Sequence, residues 1–371
     1  MKPRRAAVAS ALLALAALAL ACGSGSAPTT KTLPTPGAAS TTGAATRPAT
    51  SAATRSAPAT SAATPARPGR PGTLLQVSQP GVFEYQIGSA TTKQIITPSP
   101  EGAYLMDPAL SADASTLAYV SQPPPKVQGK QYDAGSDLWL ANRDGSNPHA
   151  VFTHDTPNQL VRFPKWQDAG HVLAIVQEFT LQNGATSIEY WLERIDVATG
   201  ARTKVLKDVL AFGIAPDGKH VVYAQLAPQT GETLMIADLA GGAATTLVGV
   251  DQNLAPFNFP TYSHDGATIA FASADQTGAR AAPPGVTFAS FAPAARLLDG
   301  LPEDIWTVSA AGGAPVRVAD IKEDVPSLTW SGDDQHLYVY GSVALYDVNL
   351  KSGAVNHIGE GAYHGQVIWA P

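Results

Sequence analysis

The chain has 371 residues, 44% of them hydrophobic and 15% charged, which is enough to bury a large core and excludes disorder over the whole length. Residues 1 to 72 hold 8 of the 24 basic residues and no acid, so the remainder carries 16 basic and 30 acidic residues, a net of −14 that disfavours nucleic acid as a partner. The single cysteine, Cys22, leaves no disulfide, thiolate metal site or cysteine nucleophile anywhere after it.

Residues 1 to 21 read as an export signal: a basic start, an apolar run through Leu12, Leu13, Leu15, Leu18 and Leu20, and small residues at its end. The run is too short for a comfortable membrane span. Ala19-Leu20-Ala21-Cys22-Gly23-Ser24 resembles a bacterial lipoprotein processing site, which implies a diacylated Cys22 and a lipid anchor. Residues 22 to 72 are mostly Ala, Thr, Ser, Pro and Gly, too poor in large apolar side chains to offset the entropy of ordering, and read as a disordered tether. Fifty such residues reach roughly 40 Å as a flexible coil.

From Thr73 the chain repeats. One unit runs Phe259 to Gly266, then Thr268-Ile269-Ala270-Phe271, then Asp304 to Val308, a Gly312-Gly313 turn, and Val316-Arg317-Val318, which reads as four short strands. Each unit has an apolar anchor in its first strand: Leu110, Trp166, Ile214, Tyr262, Trp330 and Trp369. An Asp follows most anchors by two or three positions, in a turn that needs special dihedrals. The unit begun by Trp369 lacks its later strands. Leu74 to Val77, Val82 to Ile87 and Lys93 to Ile96 supply them, so the chain is expected to close on itself as a six-bladed, all-β propeller of four-stranded blades over residues 73 to 371. A ring without open edges is expected to be monomeric.

Pro260-Thr261-Tyr262-Ser263-His264-Asp265-Gly266, Ala215-Pro216-Asp217-Gly218 and Leu328-Thr329-Trp330-Ser331-Gly332-Asp333 resemble the Trp-Ser-Pro-Asp-Gly repeat of TolB-like β-propellers. The resemblance implies the propeller fold and a tendency to bind partners, without fixing one function. The reading it supports is an exported, non-catalytic envelope lipoprotein that binds a protein or peptide and needs no cofactor. The alternatives are an enzyme of the propeller lyase or lactonase kind with a divalent metal, and a glycan-binding surface protein.

Turns between first and second strands, and between third and fourth, are short throughout. Insertions fall between second and third strands, at Ser121 to Ser136, Gln177 to Ser187 and Ala272 to Glu303. That elaborated face is where a partner is expected. Candidate residues are Lys126, Tyr132, His154, Asp155, Phe288, Phe291, Glu360 and His364. The last insertion, with Val286, Phe288, Phe291, Leu297, Leu298 and Leu301, is apolar enough for a lid or a core extension. Acids in the blade connections, among them Glu101, Asp208, Asp251, Asp320, Glu323 and Asp324, form a possible cation ring, with His154 and His364 beside it. Trp139, Trp191 and Trp306 recur in third strands and read as core.

Overall fold

Short runs of alternating apolar and polar residues, punctuated by Gly, Asp and Asn at turns, dictate strand after strand. The computed structural model describes residues 72–78, 81–124, 127–128, 131–182, 185–227, 231–277, 301–361 and 365–371. The leader, Cys22, the tether, Lys126, Phe288, Phe291 and His364 lie outside them, and Tyr132 is described in its backbone alone.

Six antiparallel four-stranded sheets form the blades of a propeller. Blade I joins Ile368–Ala370 to Thr73–Ser78, Gly81–Gln86 and Thr91–Ile96. Blade II is Tyr104–Leu110, Thr116–Gln122, Asp137–Asn142 and His149–Phe152. Blade III is Gln159–Trp166, His171–Gln182, Ala185–Asp196 and Arg202–Lys207. Blade IV is Val209–Ile214, His220–Ala227, Gly231–Asp238 and Thr245–Val248. Blade V is Asn258–Tyr262, Thr268–Ser273, Pro302–Ser309 and Val316–Asp324. Blade VI is Ser327–Trp330, His336–Tyr340, Ala344–Asn349 and Val355–Glu360.

The first strand of every blade packs beside the first strand of the next, all the way round, so these six strands line the axis. The tail is one of them: Leu74 pairs with Trp369 and Leu75 with Ile368, as the split repeat requires. Core side chains fill the spaces between sheets. Leu75, Val77, Val82, Leu105 and Leu117 pack between blades I and II, and Phe212, Phe257 and Phe271 between IV and V.

Three of the first turns share one lock. Ser111, Ser263 and Ser331 each donate a hydroxyl proton to the Asp two residues on, at 2.6 Å. The same oxygens accept the N–H of Thr116, Thr268 and His336 at 2.9, 3.0 and 3.0 Å. Two anchors tie blade to blade. Trp166 Nε1 donates to the Ala109 carbonyl (3.3 Å) and Trp330 Nε1 to that of Thr261 (3.2 Å), each just before the anchor of the preceding blade.

The structure departs from the sequence reading in two places. The stretch around Gln177 to Ser187 is not a loop inserted into blade III: its flanks pair in unbroken register from His171–Asp196 to Gln182–Ala185, because polar and apolar residues keep alternating there. Trp139 and Trp306 lie half-buried against the core, but Trp191 does not join it; Lys204 and Lys207 lie over its ring instead, at 4.5 and 5.7 Å.

Candidate functional site

Two places on the ring offer chemistry, at opposite ends of its axis. The elaborated end carries the connections between blades and the links from second to third strands. His154, Asp155 and Glu360 stand in or beside such connections, but their side chains do not converge. His154 Nδ1 lies 2.6 Å from Asp137 Oδ1, and its Nε2 3.3 Å from Asp133 Oδ1. Burial lowers the His154 pKa, and the bonds and charges of Asp137 and Asp133 outweigh it, so the imidazole is held above its usual value. Asp155 is committed to Arg202 (3.1 Å), which also grips buried Glu193 (2.8 Å).

The acids of the connections are likewise dispersed. Asp320 faces Lys322 (3.3 Å). Glu323 is buried and accepts from Ser342 N (3.0 Å), Ser342 Oγ (2.9 Å), Val343 N (3.3 Å) and Tyr346 Oη (2.7 Å). Burial, and then that bond, push the Tyr346 phenol up. Among the described residues, no three His, Cys, Asp or Glu side chains come together as a metal site.

The elaborated end is, however, where apolar side chains meet solvent. Of the large apolar residues exposed among those described, Tyr104 and Val250 lie at blade connections, and Leu226 and Val343 in second-to-third-strand hairpins. Val343 is 68% exposed, on a hairpin that Glu323 fixes from beneath. The other two, Val316 and Val355, begin outer strands at the opposite rim.

The second place is a cavity of about 300 Å³ on the axis, walled by all six first strands and reaching the tight turns at Ala112 and Asp168. It is built by β-bulges. Register breaks between Met106 and Ala109, between Arg162 and Lys165, and between Asn258 and Thr261. Asp107, Phe163 and Phe259 in these breaks have φ of 51°, 53° and 47°. Each costs on the order of 1 kcal/mol or more, so the surroundings must enforce it. Phe163 and Phe259 meet edge to face at 5.4 Å inside the ring.

Asp107 is fully buried and binds three blades. Its carboxylate accepts from Arg162 Nε (2.7 Å), Phe163 N (3.2 Å) and Gln366 N (3.1 Å). Buried Gln366 spans the same blades, donating from Nε2 to the carbonyls of Pro108 (2.9 Å) and Pro164 (2.8 Å). Lys165 Nζ lies 3.3 Å from Gln366 Oε1, and burial lowers its pKa to about 8 although Asp107 pulls the other way.

Sequence reasoning missed this cavity. A signal was present: Asp107, Phe163 and Phe259 each precede a proline, and Pro108, Pro164 and Pro260 each stand two residues before an anchor. A proline within a strand marks a bulge or an edge, because it cannot donate to the ladder.

No family model matches the chain, and no curated protein matches it. Among solved structures, TolB from Acinetobacter baumannii is similar at 15% identity and a TM-score of 0.51, over 81% of this chain and 66%, just under two thirds, of that one. A putative TolB from Agrobacterium tumefaciens is similar at 15% identity and a TM-score of 0.48, over 82% of this chain and 99% of that one. At this identity the likeness to the Acinetobacter structure establishes the fold alone: the chain is a six-bladed β-propeller built like TolB's.

Proposed function

We propose that this chain is an exported, lipid-anchored, non-catalytic propeller of the cell envelope that binds a protein or peptide through its elaborated face. The supporting observation is the partition of exposed apolar side chains: Tyr104, Leu226, Val250 and Val343 lie on that face. Apolar groups on a rigid frame with a polar surround are what a protein partner buries. Val343 fits this role best, since its hairpin is held by a buried carboxylate rather than left to order on binding. The lipoprotein-like segment around Cys22 gives the anchor, and residues 23 to 72 the reach from a membrane surface.

The test is capture from an envelope extract with the full chain carrying Cys22→Ala, compared with the same chain carrying Leu226→Glu and Val343→Glu. A partner held by the first and lost by the second supports the reading. Equal capture by both, or no specific partner for either, contradicts it.

A further inference from the structure

The lining of the axial cavity has one cation, Lys165, and one anion, Asp168 at the rim, and the two form no ion pair. The bulge between Arg162 and Lys165 takes Lys165 out of the regular alternation of its strand and into the cavity wall. There its amine meets the Gln366 amide oxygen at 3.3 Å and, at 5.9 Å, the face of Phe212. Among the described residues Lys165 forms no ion pair. Asp107, the carboxylate whose charge reaches it, has both oxygens taken up by Arg162, Phe163 N and Gln366 N. Asp168, at the rim, accepts from Gly170 N (2.8 Å) and from His171 Nδ1 (2.8 Å). The lining from blades IV, V, VI and I has no titratable side chain. Arg162 and Asp107 neutralise one another, so Lys165 is the one cation of the lining, set against the carboxylate of Asp168 at the rim.

A partly buried charge is costly unless something compensates it, and in this wall Lys165 has the Gln366 amide oxygen but no ion-paired carboxylate. The rest of the lining suits a short acid. Thr261 and Thr329 bring hydroxyls; Thr329 Oγ1 accepts from Trp369 N (3.1 Å) and keeps its proton to donate. Trp166, Ile214, Ile368 and Trp369 give apolar surface for a carbon stem. The volume equals that of about ten water molecules, room for a small organic acid or for one or two residues of a peptide.

We propose that the axial cavity is a carboxylate-binding site in which Lys165 supplies the charge and Thr261 and Thr329 supply hydroxyl donors. The site is distinct from the partner face, since it opens among the tight turns at the other end of the axis. Three sources share this chemistry: a free dicarboxylic acid, a peptide C-terminus and an acidic side chain.

Isothermal titration of the full chain with succinate, with Ala-Ala-Ala, and with an N-acetyl, C-amidated Ala-Glu-Ala separates them. At least one is expected to bind at about pH 7, and its carboxamide counterpart at least ~tenfold more weakly. Lys165→Met should weaken binding by a similar factor, and so should raising the pH to about 9.5, above the lysine's pKa. The comparison of acid with amide uses the unmodified chain, so it decides even if the variant fails to fold. No binding of any of the three acids, equal binding of acid and amide, or unchanged binding by folded Lys165→Met would overturn the proposal.

Discussion

The carboxylate of Asp107 accepts the backbone N–H of Gln366 at 3.1 Å, joining two residues 259 positions apart. This bond makes the tail part of the axis. Asp107 also neutralises Arg162, so Asp107→Asn removes the carboxylate from beside a buried guanidinium and weakens three inter-blade bonds at once. Breaking one partner of a buried pair costs about 3–5 kcal/mol. Urea unfolding of Asp107→Asn should show a loss of that order; a loss under about 1 kcal/mol would deny Asp107 its role.

Trp369 is seated by glycine. A Cβ at Gly332 would lie 2.3 Å from the Trp369 indole, and one at Gly72 still closer. Gly332→Ala should therefore destabilise by about 1–3 kcal/mol through overpacking. In Trp369→Ala the obstacle is gone, and the same substitution should become nearly neutral. A double-mutant cycle reads this directly, and additive effects would contradict the contact.

His154 gives the elaborated face a pH dependence. Its folded pKa is raised, so its contribution is complete below the unfolded value and is lost as pH rises through the folded one. His154→Gln should cost roughly 1–2 kcal/mol in mild acid, where the imidazolium holds Asp137 and Asp133, and less in mild alkali. Unfolding curves at about pH 5.5 and pH 8.5 check the sign. An equal or larger cost in alkali would show that the charged form is not what these acids stabilise.

For Lys165 the sign reverses. Its folded pKa, about 8, lies below the ordinary lysine value of 10.5, so the folded chain binds fewer protons between those limits and its stability gains with pH across them. A depression of that size corresponds to on the order of 3 kcal/mol. Lys165→Met should thus stabilise the ligand-free chain near neutral pH, by a margin that shrinks towards pH 10. A uniform destabilisation at every pH would contradict the burial of an unpaired charge.

Much of the fold was legible because each repeat states a physical need. The Ser and Asp after an anchor lock a turn, as in Ser263 and Asp265, and Trp166 and Trp330 reach a carbonyl of the preceding blade. The split first blade could be read because Trp369 had an anchor's surroundings and no strands of its own to follow. The cavity was less legible because bulges undo the alternation on which strand reading depends. Lys165 counts as one more polar residue in a strand until Phe163 and Pro164 shift it. Conversely, His154 and Asp155 looked available in the sequence, yet Asp137 and Asp133 hold the first and Arg202 the second. Such partners, distant in sequence or hidden in composition, cannot be counted along a single chain.

The account rests on ring closure by the last strand. Truncation after Gly365 removes Gln366 from Asp107, Pro108 and Pro164, Val367 from Ser327, and the strand paired with Thr73 to Leu75. Thermal unfolding of this truncation beside the full chain is the direct measurement. The closed ring predicts a midpoint lower by more than ~10 °C, or loss of cooperative melting altogether. A truncated chain that melts with the full chain would mean that the ring does not depend on its tail.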